Sequence, residues 1–555
     1  TRERTSLLLD VVRNPTTRCI YKFVDLLDER RRGSDLSFAF KTFSPWPYKG
    51  ALSCSTADLN KAVLESHFLR HVAKEVQSPK PLEMFETGSS VEEVKEDALG
   101  ILEEMSQNLQ LGFIRLMAYM LTKVFKRLFS GIFVNMEGLN MLQQATQESP
   151  VILMPNHRSY VDFLAISYIL FSYDIPIPVI AAGIPLAGMK IVGEILRRSG
   201  AFFIRRAIGS DKLYWAVLSE YIKTIVRKGF APVEFYVEGL RSRTLKSLVP
   251  KLGTKHVGIL MLCEVFDITL VPVSISYDRV LEESLLAHEL LGVPKPKEST
   301  TGLLKASKVL QEAYGSMHVN FGRPLSVRRL CEGKINRCQY NLVPRDLPRK
   351  PSAEVQACVS WLAHLTVRVQ EEGSVISPWS LMACLLLQAP AAVLSEEGLL
   401  WHQLKEKTLW LRKLALDLGA EFQQKHGVRM DNGPRKNPLH FGVDLDKRGS
   451  SRNDFEEAIA LLKKCGAVHV GQQEVTASDW EVLSFLQTLL RPFIDSYQVL
   501  CLLPPLISFV MVHLKAEPSL SAILGLGTYE ALSWDVQKNV LSALRRLETL
   551  TKLRT

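Results

Sequence analysis

Short apolar runs alternate with helix-like stretches between residues 131 and 325, and this alternation constrains the fold more than any other feature of the chain. The apolar runs have the length of buried strands, and the stretches between them have helical periodicity. Parallel strands joined by helices are the usual fold for such a pattern. We therefore predict an α/β domain at residues 131–325 with a mixed, largely parallel sheet flanked by helices. The predicted strands are Val151–Met154, Ala201–Ile204, Val233–Val237 and Ile268–Ser276, and the predicted helices are Tyr160–Phe171, Asp211–Arg227 and His256–Phe266.

Three further regions surround this domain. Residues 1–130 are predicted to be mostly helical, residues 326–355 to form a basic, proline-containing linker, and residues 356–555 to be mostly helical again. Two apolar segments of the last region, Trp379–Leu394 and Val499–Val512, are short and contain proline. We therefore predict that they are buried helices and not membrane spans.

A basic amphipathic helix is predicted at residues 109–129. Its apolar face consists of Phe113, Met117, Met120, Leu121, Val124 and Leu128, and its basic face of Arg115, Lys123, Lys126 and Arg127. Such a helix can lie in the interface of an anionic membrane with its apolar side in the lipid. The alternative is a helix that packs on the protein core and exposes a basic edge. The sequence leaves both interpretations open.

The formal net charge of +10 and the pI of about 9.0 favour anionic partners such as phosphorylated metabolites, coenzyme A or anionic lipids. Few aromatic residues interleave with the basic clusters and no nucleic-acid motif is present, so we expect no nucleic-acid partner. The nine cysteines form no CxxC pair and no Cys/His cluster, which favours a reducing compartment and argues against a zinc site. We see no secretory signal, and because the chain begins at Thr1 we expect a fragment of a longer protein.

A histidine and an aspartate, His157 and Asp162, follow the first predicted strand of the domain. His157 comes directly after the carboxyl end of a strand, where α/β sheets bind ligands. A histidine titrates near neutral pH and can act as a general base, and Asp162 can accept a hydrogen bond from its second ring nitrogen. The alternative is that Ser159 and Asp162, which have the S-x-x-D spacing, form a capping box at a helix start.

Two other predicted strands end in arginine. The segment Gly200–Arg206 ends in Arg205 and Arg206, and the segment Phe235–Arg243 contains Arg241 and Arg243. The arginine guanidinium binds phosphate well, so the two clusters favour a phosphate-binding site over four solvated side chains. Glu238 can bind substrate hydroxyls, and Gly239 lets the backbone approach a ligand closely. A further strand, Leu270–Ser274, is interrupted by Pro272, which also fits a strand edge or a bulge.

These four segments, taken in order, resemble the four sequence blocks of the glycerolipid acyltransferase family. The blocks are His157–Asp162, Gly200–Arg206, Glu238–Arg243 and Val271-Pro272, and the resemblance covers about residues 131–325. Val293–Gly302, Ser377-Pro378-Trp379 and Asp535–Asn539 are similar to one branch, the peroxisomal dihydroxyacetone phosphate acyltransferases. Two features depart from that branch. Leu240 replaces a small polar residue, and the chain ends in Leu553-Arg554-Thr555 instead of an import tripeptide.

The resemblance implies an enzyme that transfers an acyl group from acyl-CoA, a substrate, to dihydroxyacetone phosphate without a cofactor or metal, as the first step of ether lipid synthesis. It implies His157 as the general base and Asp162 as its partner. It assigns acceptor binding to Arg205, Arg206, Glu238, Gly239, Arg241, Ser242 and Arg243. It also implies a membrane surface and the alkyl-dihydroxyacetone phosphate synthase of the same pathway as partners, and a position on the lumenal face of the peroxisomal membrane.

Transfer is expected to be direct, because no serine or cysteine lies in a recognisable nucleophile elbow. Two alternatives remain open. A glycerol 3-phosphate acyltransferase would share all four blocks. A non-catalytic membrane-binding scaffold would use the arginines to bind lipid phosphates, although the intact His157 and Asp162 argue against it.

Overall fold

A nine-stranded mixed sheet separates two layers of helices. We describe it from a computed structural model, which covers residues 23–46, 48–51, 54–77, 91–188, 190–205, 211–242, 247–250, 265–282, 312–334, 353–417, 421–422, 448–471 and 473–488. The predicted helix His256–Phe266, the segment Val499–Val512 and the family-like segments Val293–Gly302 and Asp535–Asn539 lie outside the described residues, entirely or for the most part.

The strands of the main sheet are β1 (Phe23–Asp25), β2 (Gly131–Asn135), β3 (Val151–Pro155), β4 (Val179–Gly183), β5 (Ala201–Ile204), β6 (Val233–Glu234), β7 (Thr269–Tyr277), β8 (Ser316–Phe321) and β9 (Leu325–Ser326). Their order is β1-β2-β8-β7-β3-β6-β4-β5, and β9 pairs with β7. The block β7-β3-β6-β4-β5 is parallel throughout, whereas β1–β2, β7–β8 and β7–β9 are antiparallel. The predicted mixed, largely parallel sheet is confirmed.

The helices that surround this sheet are α1 (Leu26–Arg32), α2 (Asp35–Ala39), α3 (Thr56–Leu64), α4 (His67–Gln77), α5 (Val91–Met105), α6 (Leu111–Leu128), α7 (Met136–Glu148), α8 (Asp162–Ser172), α9 (Lys190–Arg198), α10 (Lys212–Lys228), α11 (Val327–Cys331) and α12 (Ala353–Glu372). Helix α10 begins where its cap Asp211 accepts a hydrogen bond from Tyr214 N at 2.9 Å. It ends at Gly229, whose φ of 60° is left-handed and closes the last turn.

Alternate residues of the central strands pack into two different cores. In β3, Ile152 and Met154 face the core formed with α3, α4, α5, α10 and α12. Val151 and Leu153 face the opposite core, formed with α1, α2, α6, α7 and α8. This period of two fixes the register of a strand that is buried on both faces. The result is a three-layer α/β/α arrangement to which the predicted N-terminal helices contribute on both sides.

Pro272 lies in the interior of β7 without interrupting it. One edge of β7 pairs with β3 through residues 269–273. The other edge pairs with β9 through residues 269–270 and with β8 through residues 273–277, so Pro272 falls where the partner changes. The missing N–H of proline is tolerated there, and the Pro272 carbonyl accepts a hydrogen bond from Gly322 N at 2.8 Å.

The C-terminal region has its own core and contains short strands that the sequence did not predict. Its helices are α13 (Pro378–Leu386), α14 (Ala391–Glu396), α15 (Trp401–Asp417), α16 (Arg448–Lys464) and α17 (Trp480–Thr488). Its strands are β10 (Val375–Ile376), β11 (Leu399–Leu400), β12 (Glu421–Phe422), β13 (Val468–Val470) and β14 (Glu474–Ala477). β10 pairs with β12, and β11, β14 and β13 form an antiparallel sheet. The segment Trp379–Leu394, predicted as one buried helix, is divided in the structure. Its first part is α13, which is buried throughout, and its end belongs to α14, which begins after Pro390.

Helix α12 follows the predicted linker in sequence but packs against the main sheet. Gln370 Nε2 donates a hydrogen bond to Met154 O at 2.7 Å, and Ser274 Oγ donates one to Gln370 O at 2.5 Å. Gln370 is buried. The start of the predicted linker is also ordered, as β9 and α11. The α/β unit of the structure therefore includes residues up to about the end of α12, at Glu372.

Gly138 in α7 tests how closely the helical layer approaches the sheet. A Cβ added at Gly138 would lie 1.9 Å from Phe321 O in β8, whereas one added at Gly100 in α5 would meet nothing within 4 Å. We expect Gly138→Ala to lower the free energy of unfolding by about 1–3 kcal/mol because backbone must move. Gly100→Ala should raise it by about 0.5–1 kcal/mol. Urea denaturation of the two variants measures both, and equal effects would contradict the packing described.

Candidate active site

The loop after β3 is fixed to the neighbouring strand by one asparagine. Asn156 is buried, and its side chain donates to Ile275 O at 3.2 Å and accepts from Ile275 N at 2.9 Å. The loop therefore continues the sheet for one residue before it turns. His157 comes next, at the carboxyl end of the parallel strands, with 19% of its side chain exposed. This is the location predicted for a ligand-binding residue.

His157 and Asp162 form a hydrogen-bonded pair. His157 Nδ1 lies 3.0 Å from Asp162 Oδ2, and the Asp162 side chain is fully buried. A carboxylate at this distance favours the tautomer that carries its proton on Nδ1, which leaves Nε2 as an acceptor. The pair therefore has the chemistry of a general base with its orienting carboxylate.

Three further donors saturate the Asp162 carboxylate. Oδ2 accepts the backbone N–H groups of Arg158 at 2.8 Å and Ser159 at 2.9 Å, and Oδ1 accepts the Tyr277 hydroxyl at 2.7 Å. The bond from Ser159 N is half of the capping box that the spacing suggested. The reciprocal bond is not made, because Ser159 Oγ accepts from Val161 N instead, at 3.2 Å. Asp162 thus closes the loop at the start of α8 and holds the imidazole as well.

Glu238 ties the loop after β6 to the His157 loop. It is buried and accepts hydrogen bonds from His157 N at 3.2 Å, from Arg158 Nη1 at 3.0 Å and from Leu248 N at 3.0 Å. Arg158 Nη2 also donates to Ser247 Oγ at 2.9 Å. Because both Glu238 oxygens are engaged within the protein, its geometry is that of a group that positions the two loops. The hydroxyl-binding role foreseen for it would require one of these bonds to break.

Arg241 and Ser242 bring unsatisfied polar atoms to the same loop. The Arg241 guanidinium lies over the Tyr160 ring, 4.8 Å from its centroid, and its Nε and Nη1 are buried without a hydrogen-bond partner among the described residues. Ser242 N donates to His157 O at 3.0 Å, while its buried Oγ also lacks a partner in that part of the chain. Gly239, between Glu238 and these residues, has a φ of 68°, which glycine adopts at little cost. Ser242 thus joins this loop to His157, and Arg241 contributes donors that no described residue engages.

The second arginine cluster lies farther away, at the edge strand β5. Arg205 Nη2 pairs with Glu104 Oε2 at 2.6 Å, its Nη1 lies 3.7 Å from Asp211 Oδ2, and its guanidinium covers the Tyr214 ring. β5 is separated from β3 by β6 and β4. Arg205 is therefore engaged with surface carboxylates, as the solvated alternative supposed. Arg206 and Arg243 lie outside the described residues, so their positions stay predictions.

Sequence reasoning missed several side chains of the site. Glu282, beyond β7, accepts from Ser159 Oγ at 2.9 Å and from Tyr160 N at 2.7 Å, and burial raises the pKa of its carboxyl. Tyr277, at the end of β7, holds Asp162. A tyrosine and an acid shortly after a strand end were weak signals, because nothing in the sequence shows which loop they contact.

A second carboxyl, Glu234 in β6, lies behind the histidine. It is fully buried, and burial raises its pKa from 4.5 to about 8. Tyr236 Oη donates to Glu234 Oε1 at 2.7 Å, and the Tyr236 ring lies 4.4 Å from the imidazole of His157, centroid to centroid. In the sequence, Glu234 stands between the apolar residues Val233 and Phe235 within a predicted buried strand. This charged residue in an apolar run is the one local signal of an unusual buried carboxyl. Among the described residues, no group of three His, Cys, Asp or Glu side chains is arranged to hold a metal ion.

Comparison with known proteins shows the family to which this chain belongs. The acyltransferase family model matches residues 133–276, and the model of the glycerol-3-phosphate acyltransferase C-terminal region matches residues 286–435. A dihydroxyacetone phosphate acyltransferase of Homo sapiens is 41% identical over 96% of this chain and 90% of its own length. The chain belongs to the dihydroxyacetone phosphate acyltransferase family. The predicted resemblance is thereby confirmed.

Other relatives separate the two acceptor branches. The dihydroxyacetone phosphate acyltransferase of Mus musculus is 39% identical over 96% of this chain and 90% of its own length. A glycerol-3-phosphate acyltransferase of Pseudomonas syringae is 34% identical, but the match covers 56% of this chain and 36% of the bacterial protein. Membership of the dihydroxyacetone phosphate acyltransferase family therefore extends over nearly the whole chain, whereas likeness to the bacterial enzyme is partial.

The two readings of Asp162 differ in what asparagine would do there. Asparagine can accept the two loop N–H groups through its amide oxygen, but it lacks the charge that favours the basic tautomer of His157. We expect Asp162→Asn to lower kcat by about 10²–10⁴ with only a modest fall in Tm. Asp211→Asn is the matched control, since Asp211 caps α10 and asparagine also caps well. Similar, small losses of activity in both variants would show that Asp162 is only a cap.

Proposed function

We propose that this protein transfers the acyl group of acyl-CoA to the primary hydroxyl of dihydroxyacetone phosphate. The observation that carries the proposal is the His157–Asp162 pair at the carboxyl end of β3. The loop that Ser242 N joins to His157 O also carries Arg241, whose Nε and Nη1 have no hydrogen-bond partner among the described residues. A base and a phosphate-binding cation in two loops at the same end of the sheet are what a phosphorylated alcohol requires. The acceptor is taken from the relatives that match over almost the full chain.

In the proposed transfer, His157 takes one proton from the acceptor and later gives it to the leaving group. His157 Nε2 takes the proton of the acceptor hydroxyl as its oxygen attacks the thioester carbonyl carbon. Asp162 stabilises the imidazolium that forms, because its carboxylate accepts the Nδ1–H. When the tetrahedral intermediate collapses, the C–S bond breaks and the imidazolium returns its proton to the departing thiolate of coenzyme A. Transfer is direct and needs no acyl-enzyme.

Within the proposal, the predicted acceptor-binding residues take different parts. Arg241 binds the acceptor phosphate, and Ser242 Oγ and the backbone at Gly239 lie beside it. Arg206 and Arg243 join the phosphate site as predicted from the family blocks. Glu238 acts through the loops that it ties together. For Arg205, the pairing with Glu104 favours a structural part over contact with the acceptor.

The decisive experiment offers purified protein labelled palmitoyl-CoA with dihydroxyacetone phosphate or glycerol 3-phosphate. We expect the acylated ketone as the preferred product, and we expect His157→Ala to lower kcat by about 10²–10⁴ while the protein stays folded. Preference for glycerol 3-phosphate would instead support the branch of the bacterial enzyme, which matches this chain only in part. Near-normal turnover by folded His157→Ala would refute the base. No transfer to either acceptor, with liposome binding intact, would support the scaffold.

Replacement of Arg241 by lysine tests the phosphate site. Lysine keeps the charge but loses the planar fork, so Arg241→Lys should cost about 1.5–3 kcal/mol of acceptor binding, seen as a higher KM for dihydroxyacetone phosphate. The KM for acyl-CoA should change less. The control is Arg198→Lys, because Arg198 pairs with Glu194 on the surface of α9. An unchanged acceptor KM in Arg241→Lys would remove Arg241 from the site.

A membrane surface is the second partner in the proposal, and an exposed apolar face favours it. Leu36 and Phe40 are 57% and 71% exposed, and Leu116 and Met120 of α6 are 54% and 49% exposed. α2 lies along α6. Asp35 at the start of α2 pairs with Lys123, and the backbone carbonyl of Lys41, just after α2, accepts a hydrogen bond from Arg115 Nη2. We call these four apolar residues, with the surrounding basic side chains, the α2–α6 face.

This face differs from the one that the helical pattern suggested. The predicted helix 109–129 is α6, but its apolar stripe, including Leu121 and Leu128, packs on the core. For these residues, the alternative of a helix that packs on the protein core is the one that the structure shows. Met120 is the one member of the predicted apolar stripe that is largely exposed, and Lys126 is half-buried and paired with Asp35. No helix among the residues that the structure describes is both long and apolar enough to cross a bilayer.

Lipid binding by the α2–α6 face can be measured by co-sedimentation with liposomes. We expect binding to rise with anionic lipid and fall with salt, because exposed Lys123 and Arg127 flank the apolar residues. Phe40→Gln with Leu116→Gln should weaken binding severalfold. Trp410→Gln removes an equally exposed aromatic residue of α15 and serves as the control. Equal binding by all variants would contradict the proposed face. The peroxisomal lumenal location and the synthase partner rest on the family resemblance and stay predictions.

A further inference from the structure

The mechanism proposed above leaves Glu234 without a part, although it lies close to the reacting groups. In the register of the sheet, Glu234 is opposite Leu153 of β3 and Ile180 of β4, so apolar neighbours flank it on both sides. Val233 and Phe235 face the core formed with α10 and α12. Because successive side chains of a strand point to opposite faces, the Glu234 side chain points to the other face of the sheet, toward α8. A carboxyl that is fully buried among apolar side chains is costly, and proteins seldom keep one without a use.

The contacts of Glu234 lead directly to the imidazole. Its Oε1 accepts a hydrogen bond from the hydroxyl of Tyr236, two residues farther along the chain and just beyond β6, at 2.7 Å. The Tyr236 ring in turn lies against the His157 ring, with centroids 4.4 Å apart and planes tilted by 44°. The other carboxyl oxygen of Glu234, Oε2, is buried without a hydrogen-bond partner among the described residues. Glu234 is thus tied to the base through one intermediate side chain.

We propose that Glu234 is a positioning residue of the acyl-transfer site, which acts through Tyr236 to fix one face of the His157 imidazole while Asp162 fixes its Nδ1 edge. The inference rests on the proposed function, because it assigns His157 as the base. A base held from two directions keeps Nε2 aimed at the acceptor hydroxyl. A displacement of about 1 Å in such a group can cost on the order of 10²-fold in rate.

The ionisable groups around Glu234 give this arrangement a pH dependence. Tyr236 faces it from the segment just after β6 and Asp162 from α8, while its neighbours on β3 and β4 are apolar. With a pKa of about 8, Glu234 is neutral at about pH 7. Its ionisation at higher pH places a charge in a fully buried site where Oε2 has no hydrogen-bond partner among the described residues, so the carboxylate has to move or admit water. Either change displaces the Tyr236 ring from the imidazole, and turnover should therefore fall as the pH rises through about 8.

Ionisation of Glu234 also lowers the free energy of unfolding. The pKa of Glu234 is raised from 4.5 to about 8 on folding, so its penalty is absent below pH 4.5 and grows as the pH rises toward 8. Glu234→Gln has the same shape and cannot ionise. The Tm of this variant, relative to the parent, should therefore rise between about pH 5 and pH 8. A carboxyl that lowers stability at working pH is consistent with retention for catalysis.

The test measures kcat with saturating substrates from about pH 6 to pH 9 for four variants and one control variant. Glu234→Gln should keep kcat at pH 7 within about threefold, because its amide oxygen still accepts from Tyr236, and it should lose the alkaline decline. Glu234→Leu and Tyr236→Phe should each lower kcat about tenfold, and their double variant should lose no more than either alone, since both break one link. Glu220→Gln is the control, a buried acid of α10 paired with Arg227.

The outcomes separate the inference from the proposed function. An alkaline decline that Glu234→Gln leaves unchanged, or additive losses in the double variant, would overturn the positioning role. Loss of kcat in Glu220→Gln equal to that in Glu234→Leu, together with an equal fall in Tm, would reduce the effect to general destabilisation and also overturn it. Turnover by folded His157→Ala at the parent rate would instead remove the proposed base, whatever Glu234 does.

Discussion

The buried carboxylate of Asp162 is the interaction on which the active-site architecture depends. A charge that is fully removed from water is costly unless hydrogen bonds replace its hydration. Four donors do so here, and they come from the imidazole, from two successive loop N–H groups and from the hydroxyl of Tyr277 in β7. Because those donors belong to the loop after β3 and to a neighbouring strand, satisfying one charge also fixes the turn that presents His157. The hydrogen bonds that offset the cost of burying the carboxylate are therefore the same ones that orient the imidazole.

Features that depend on local sequence could be predicted from the sequence. The ends of β3, β5 and β7 differ from their predicted ends by at most one residue, because each is a short apolar run that ends in polar residues. The pair of His157 and Asp162 was also within reach, since both lie in one loop. β6 was predicted as five residues and has two. Its later residues leave the ladder, and Glu238 turns inward to bind Arg158, a choice that depends on a loop some eighty residues earlier in the chain.

Features that depend on distant partners could not be predicted. Arg205 and Arg241 are both arginines beyond strand ends, yet Arg205 pairs with Glu104 of α5, whereas Arg241 lies over the Tyr160 ring with two nitrogens that have no partner in the described part of the chain. Nothing local distinguishes them, because the ion pair joins residues about a hundred positions apart. Glu282 and Tyr277 joined the site for a similar reason. The apolar stripe of α6 illustrates the same limit, since periodicity identifies an apolar face and leaves open whether protein or lipid covers it.

The contact between α12 and β3 changes what counts as the smallest catalytic unit. Gln370 donates to the carbonyl of Met154, three residues before His157, and Thr366 lies against the Met154 side chain. A fragment cut after residue 325, where the family blocks end, would expose the underside of the catalytic strand and orphan a buried carbonyl. Residues up to Glu372, well beyond the last of the four family blocks, therefore belong to the unit that supports the catalytic loop.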